Sequence, residues 1–339
     1  MIFITGANGW LGLNLVKSII YNKTRQWGLN DNEIHAFIME GTSKDKLLGI
    51  SLDLNIVEGN ILNTDDLARF FSPSNNNSLL FHTAGIIHPR KVSEFFDVNL
   101  IGTKNILQSA SKKSIKKSII VSSNSPLGCN PDSNHLFDEE SNYNPYMNYG
   151  KSKMEMEKLC NKYYDDGLLD LTIIRAPWFY GPFQPDRQKL FFEMIRNGNA
   201  PIVGDGQNLR SMSYTENLVQ GMILSAIKQV SSGKTYWIAD ETPYSMNEII
   251  DTVESLMENE FHLECNHGRL RLPNIASHVA EKIDASLQWL GIYNQKIHVM
   301  SEMNKNIACN VSLAKSDLGY KPEFSLKEGM LLSLKEIYE

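Results

Sequence analysis

The amino-acid sequence predicts an α/β protein: a doubly wound, mostly parallel sheet with a smaller, mixed C-terminal lobe. Three observations carry this expectation. Short apolar runs with a β-branched bias recur at 1–5, 33–41, 56–62, 79–85, 118–123 and 171–176, with helical patterns between them. That alternation gives parallel sheets covered on both faces. The first run passes straight into a glycine-rich turn and then a helix. The chain has 339 residues, 42% of them hydrophobic, enough for one large domain and a second lobe. The expected division is 1–175 and 176–339, with some segments of the second part returning to the first.

A formal net charge of −6, with no long run of either sign, argues against nucleic acid as a partner. Cys129, Cys160, Cys265 and Cys309 are scattered, without a C-x-x-C or a Cys/His cluster. Neither a disulfide framework nor a metal site is expected, and a reducing compartment is. Met1 already belongs to the first strand, which leaves no signal peptide ahead of it. No apolar run approaches the ~20 residues of a membrane helix. The expectation is a cytoplasmic protein with a small-molecule substrate and no membrane partner.

Met1–Thr5 reads as a buried strand through Ile2, Phe3 and Ile4. Thr5-Gly6-Ala7-Asn8-Gly9-Trp10-Leu11-Gly12 follows, and then a helix with Leu13, Val16, Ile19 and Ile20 in its pattern. Glycines at 6, 9 and 12 suit a dinucleotide turn. One allows the tight reversal, the next lets the backbone approach a pyrophosphate, and the last lets helix and strand pack closely. The helix N-terminus adds free N–H groups and the positive end of a dipole. Gly6, Asn8, Gly9, Trp10, Leu11 and Gly12 are therefore candidate cofactor-binding residues.

The spacing T-G-x-x-G-x-x-G resembles that of the short-chain dehydrogenase/reductase superfamily. Its extended branch includes nucleotide-sugar epimerases, reductases and hydroxysteroid dehydrogenases. The resemblance implies a Rossmann-type sheet that binds a nicotinamide dinucleotide within 1–175. A polar connection at 21–32 leads to the second strand, 33–41. Glu40 at its end is the candidate for the adenosine ribose hydroxyls and favours NAD, since a carboxylate repels a 2′-phosphate. Lys44 in the next loop is the opposing signal, and NADP stays open. The third strand begins at Ile56 and runs into Asn60-Ile61-Leu62. The family carries aspartate there to bond the adenine amino group, and Asn60 offers an amide oxygen instead. Asp65-Asp66-Leu67 opens a helix, and Ser72–Ser78 is a loop. Leu79–Gly85 resembles V-x-H-x-A-[AG], in which Thr83, Ala84 and Gly85 let the backbone pass close to the cofactor. His82 is then a packed strand residue. Phe95–Leu107 reads as one helix whose V-N-x-x-G-T-x-N-[IL]-L pattern matches the family. The match makes Asn99 a buried polar group at the cofactor site.

Chemistry concentrates in Tyr146-Met147-Asn148-Tyr149-Gly150-Lys151-Ser152-Lys153. Tyr149 and Lys153 are four apart and share a helix face. A free tyrosine has a pKa near 10. A lysine ammonium one turn away is expected to favour the phenolate and lower that value, so that Tyr149 exchanges a proton with a substrate oxygen. Ser123, at the end of the fifth strand, is expected to hydrogen-bond the same oxygen. The rivals are Tyr146, which has Gly150 rather than lysine at +4, and Ser122; the family pattern S-S-x-x-x-x-G places the catalytic serine at Ser123. Sugar-nucleotide 4,6-dehydratases follow the catalytic hydroxyl with Asp-Glu, whereas here Asn124-Ser125 follows, so water elimination by that route is not expected. Ser125 is a candidate substrate contact.

Leu171–Pro182 matches the sixth strand and R-x-x-x-x-Y-G-P turn of the family, whose backbone after Pro177 lines the nicotinamide pocket. Trp178 and Phe179 are candidate walls for ring or substrate. Gly204–Leu218 resembles G-D-G-x-x-x-R-x-x-x-x-V-x-D-[LV], where an arginine at the position of Arg210 clamps a substrate diphosphate. Ser245-Met246-Asn247-Glu248 reads as a capping box. Lys315 to Pro322 and Leu326 to Gly329 resemble the family's C-terminal signature, while 255–305 is the least patterned stretch and is expected to shape substrate choice. The leading function is an NAD-dependent nucleotide-sugar 4-epimerase or ketoreductase, resting on Arg210. The alternative is a 3β-hydroxysteroid or sterol dehydrogenase, resting on Glu216-Asn217-Leu218. A silent NAD-sensing protein is the third reading. The family precedent implies a homodimer paired through 95–111 and 151–164.

Overall fold

The structure is a computed structural model that describes residues 1–21, 28, 29, 32–113 and 115–339. Of the polar connection expected at 21–32, residues 22–27, 30 and 31 lie outside the described residues. The first half alternates strands and helices: β1 (Ile2–Thr5), α1 (Trp10–Tyr21), β2 (Ile34–Met39), α2 (Asp45–Ile50), β3 (Asn55–Gly59), α3 (Thr64–Phe70) and β4 (Leu79–His82). Then come α4 (Ser93–Phe96), a π-helical segment (Asp97–Gly102), α5 (Thr103–Ser111), β5 (Lys117–Ser123), α6 (Met147–Asp165) and β6 (Leu171–Ala176). The second half holds β7 (Trp178–Tyr180), α7 (Asp186–Arg196), β8 (Pro201–Val203), β9 (Leu209–Arg210), β10 (Met212–Tyr214), α8 (Thr215–Ile227) and β11 (Thr235–Trp237). It ends with β12 (Tyr244–Ser245), α9 (Met246–Phe261), β13 (Leu270–Leu272), α10 (Asn274–Trp289), α11 (Gln295–Glu302), α12 (Ser312–Leu318) and α13 (Leu326–Tyr338).

Seven strands form one sheet in the order β11-β6-β5-β4-β1-β2-β3, all paired in parallel. β1, β4 and β6 are buried along their whole length, which is why they read as mostly apolar runs. Alternate side chains enter opposite layers. Ile2 and Ile4 pack with Leu15, Val16, Leu218 and Met222 of α1 and α8. Phe3 packs with Phe70, Ile106, Leu107, Met156 and Cys160 of α3, α5 and α6. Ile4 of β1 pairs with Ala36 on one side and Phe81 on the other. The strand order reverses there, so a crevice opens at the carboxyl ends of β1 and β4. β5 and β6 end beside it.

The single helix expected over 95–107 is instead α-helix, then π-helix, then α-helix. Apolar spacing does not distinguish the two windings. What widens the turn is tertiary: the Asn99 amide bonds to a neighbouring loop, and Gly102 lies so close to Ile61 that an added Cβ would stand 2.4 Å from its Cδ1. In the second half, α7, α9 and α13 enclose a separate core around Phe192, Ile195, Ile249, Val253 and Met330. Ser245 and Glu248 form the expected capping box on α9.

Candidate active site

The glycine turn is built by close approach. Gly6 has φ +69°, and a Cβ there would stand 2.8 Å from the backbone of Ala84. Only glycine lets the turn after β1 pass the exit of β4, and so Gly6 meets Thr83 and Ala84. A Cβ on Gly12 would lie 2.2 Å from the Gly6 carbonyl oxygen, which seats α1 directly on the turn. Thr83 Oγ1 donates to the Thr5 carbonyl at 2.7 Å. Asn8 Nδ2 donates to Thr42 Oγ1 at 2.7 Å, tying the turn to the loop that carries Glu40, which stands exposed past the end of β2. Lys44 is ion-paired with Glu58, so the cation that opposed the NAD reading is engaged on the protein. The first N–H groups of α1 have no intrahelical partners. A cradle that a Cβ would fill, a helix N-terminus and a strand-end carboxylate together fit a dinucleotide.

Two expected cofactor contacts are also engaged within the protein. The Trp10 indole N–H donates to the carbonyls of Pro182 at 2.8 Å and Gly181 at 3.2 Å, so its polar atom is taken by the turn after β7. Asn99 donates from Nδ2 to the Ile86 carbonyl at 3.0 Å and Ser152 Oγ at 3.1 Å, and its Oδ1 accepts from the Ile86 N–H at 2.9 Å. Both amide hydrogens are taken by the protein, and Asn99 holds the loop after Gly85. Asn60 Oδ1 accepts from the Leu62 N–H at 2.9 Å, leaving one lone pair for an adenine. Ile61 is half-buried against Gly102.

Ser123, Tyr149 and Lys153 converge where β5 meets α6. Tyr146 precedes the helix and donates its N–H to the Ser125 carbonyl at 3.0 Å. A Cβ on Gly150 would stand 2.4 Å from that same oxygen, so the helix rests directly on the 123–125 turn. Ser123 Oγ lies 3.4 Å from Ser125 Oγ and 3.3 Å from Asn124 Oδ1. Both rivals face elsewhere: Ser122 Oγ donates to Glu157 Oε1 at 2.5 Å, and Tyr146 donates to Ser301 Oγ at 2.7 Å. Glu157 is completely buried and also pairs with Arg175 at 2.8 Å, pinning α6 to β6. His82 is a packed strand residue, bonded to Thr5 Oγ1 at 2.6 Å and Thr103 Oγ1 at 2.9 Å.

The electrostatics correct the simple picture of the Tyr/Lys pair. Burial pushes the Tyr149 phenol up to about 12, while a hydrogen bond from Ser123 pulls it down, Glu302 raises it and Arg187 lowers it. Burial likewise pushes the Lys153 ammonium down to about 8, with Glu157 acting in the opposite direction. Lys153 Nζ donates to the Val121 carbonyl at 3.0 Å rather than lowering the phenol. A Cβ on Gly85 would stand 3.5 Å from that Nζ and 3.2 Å from Asn99 Oδ1. The lysine therefore borders the crevice on its cofactor side.

On the opposite side, Pro177 is buried between β6 and β7. Trp178 packs on Phe191, with ring centroids 5.7 Å apart, and Phe179 on Trp10 at 4.8 Å. Arg210 Nη2 donates to the Glu302 carbonyl at 2.6 Å. Its Nε is buried and has no hydrogen-bond partner among the described residues. Arg187, in the first turn of α7, acts electrostatically on Tyr149, Tyr293 and His88. Neither Arg187 nor Glu302 carries a sequence signal. Arg187 follows the Tyr-Gly-Pro turn outside any motif, and Glu302 lies in the least patterned stretch.

The model of the NAD dependent epimerase/dehydratase family matches residues 2–239. The uncharacterized protein y4nL of Sinorhizobium fredii is 42% identical, over 98% of this chain and 94% of its own. UDP-glucose 4-epimerase of Vibrio cholerae is 24% identical over 97% and 92%. Among solved structures, DesIV, a dTDP-glucose 4,6-dehydratase from Streptomyces venezuelae with NAD and TYD bound, superposes with a TM-score of 0.78 at 19% identity. That match covers 99% of this chain and 96% of the other.

Proposed function

The chain belongs to the NAD-dependent epimerase/dehydratase family, and on that premise we propose that it is a 4-epimerase or ketoreductase of a nucleotide-activated sugar. The observation that carries the substrate class is Arg210, whose buried Nε has no hydrogen-bond partner among the described residues. A buried guanidinium donor left unbonded is costly, and a diphosphate oxygen satisfies it with a charge-assisted bond.

NAD, when bound, supplies the hydride acceptor and donor at C4 of its nicotinamide. The turn at 6–12, Glu40, Thr83–Gly85 and the backbone at Pro177 would hold it. Tyr149, protonated at neutral pH with its phenol at about 12, donates its proton to a ketone oxygen while Ser123 donates a hydrogen bond to the same atom. In the reverse direction the proton passes from the substrate hydroxyl to the phenolate, a form that Ser123 and Arg187 favour. Asn124 and Ser125 carry no carboxyl group, which supports epimerisation or reduction over elimination. The residues behind the hydroxysteroid alternative have a structural use: Asn217 Nδ2 donates to Asp240 Oδ1 and to the Phe324 carbonyl, each at 2.9 Å. The proposal includes a cytoplasmic homodimer paired through 95–111 and 151–164, whose outward residues include Ile101 and Tyr164.

The test is made on purified protein. Denaturation is expected to release stoichiometric NAD(H), and Arg210→Ala is expected to raise KM for a UDP-sugar roughly tenfold or more, the effect of losing one charged hydrogen bond. Protein that carries no NAD(H) and prefers NADPH overturns the epimerase reading and the role of Glu40. An unchanged KM in Arg210→Ala overturns the nucleotide-sugar reading.

A further inference from the structure

Helix α10 is turned inside out. Its buried side is polar, formed by Ser277, Asp284 and Gln288 with Ala280. Asp284 bonds His298 of α11 at 2.7 Å, and Gln288 accepts from Asn148, the neighbour of Tyr149, at 3.0 Å. Its outward side carries an exposed apolar row, Ile275, Val279 and Ile283 at four-residue spacing and then Leu290, with Trp289 85% exposed, interspersed with the exposed His278, Lys282 and Ser286. Ile292 continues the patch beyond the helix. An amphipathic helix in a globular protein faces its apolar stripe inward, and a contiguous exposed patch of this kind marks a docking surface.

The charges around the patch identify what docks. Within 270–300 the exposed charged residues are Arg271, Lys282 and Lys296, all cationic, in a chain whose net charge is −6. The acids of the same stretch are engaged inward, Glu281 with Lys305 and Asp284 with His298. Lys91, also exposed, pairs with Ile292 through a β-bridge. We propose that the outward face of α10 docks on the surface of an anionic phospholipid bilayer. The apolar side chains enter the headgroup boundary, and Lys282, Lys296 and Lys91 meet the lipid phosphates, the division of labour of an interfacial helix. No helix among the described residues is long and apolar enough to cross a membrane, so the contact is peripheral. Because Asn148 and Gln288 join α10 to the start of α6, docking holds the candidate active site beside the bilayer.

The experiment uses the full chain and no substrate, so its outcome stands apart from the proposed reaction. Flotation is measured with phosphatidylcholine vesicles containing one quarter phosphatidylglycerol, and with phosphatidylcholine alone. The wild type is expected to float with the anionic vesicles, to bind the neutral ones at least tenfold more weakly, and to shift Trp289 emission to the blue, a shift lost in Trp289→Phe. Val279→Glu/Ile283→Glu is expected to abolish flotation. Lys282→Gln/Lys296→Gln, which leaves the apolar face intact, is expected to weaken it roughly tenfold. Failure of the wild type to float overturns the proposal, as does flotation unchanged in both double variants. A lipid-independent dimer that Val279→Glu/Ile283→Glu converts to monomer also overturns it and makes the face an interface between two copies.

Discussion

The indole N–H of Trp10 donates to the carbonyl of Pro182 at 2.8 Å, joining residues 172 positions apart in the chain. Asn14 Nδ2 donates to the same oxygen at 2.9 Å. Trp10 begins the helix whose N-terminus is the candidate pyrophosphate site, and Pro182 ends the Tyr-Gly-Pro turn that follows the candidate substrate wall at Trp178 and Phe179. The cofactor turn and the substrate turn are thus held as one unit.

Trp10→Phe keeps an aromatic ring against Phe179 and removes the hydrogen bond. The expected result is a loss of about 1 kcal/mol in stability by urea denaturation. NAD affinity, measured by titration of the stripped protein, is expected to fall severalfold because the turn loses its brace. Unchanged NAD affinity would show that the two turns act independently.

Tyr149→Phe removes the phenol proposed to exchange a proton beside Ser123, and kcat is expected to fall about 10²–10⁴-fold. Tyr146→Phe breaks the bond to Ser301 and is expected to lower stability by about 1 kcal/mol while leaving kcat within a few-fold. Steady-state kinetics on both variants decide the assignment; equal losses of kcat would return Tyr146 to contention.

His82 is fully buried, and burial holds its imidazole down to about 3, below the ordinary 6.5. Between those values the unfolded chain binds the extra proton and the folded chain does not. The stability contribution of this group is therefore complete above pH 6.5 and is lost as pH falls toward 3. At pH 5 the loss relative to pH 7 is about 2 kcal/mol. Denaturation midpoints of wild type and His82→Gln at the two pH values measure it, and parallel pH dependences in the two proteins would contradict the assignment.

Sheet, glycine turn and catalytic candidates were legible because each rests on local chemistry. A strand buried on both faces is largely apolar, as β1 and β4 are up to their closing Thr5 and His82, which bond each other. Gly6 must be glycine because no Cβ fits beside Ala84. Tyr149 and Lys153 share a face because a helix repeats every 3.6 residues. The π-helical turn at Asp97–Gly102 was not legible, because the contacts made there, Asn99 with Ile86 and Gly102 with Ile61, reach residues outside the segment.

The sequence alone determined which atoms can do chemistry and the order of the strands that carry them, since residue type and short-range spacing suffice for both. The tertiary structure decided the state of those atoms. Tyr149 is pushed up to about 12 and not down, because burial outweighs the hydrogen bond from Ser123 and the charge of Arg187, and Lys153 donates to Val121. Arg187 and Glu302 reach the site from α7 and α11, elements far from the motifs in sequence. Desolvation and long-range charge depend on everything packed around a group, and no local spacing encodes them.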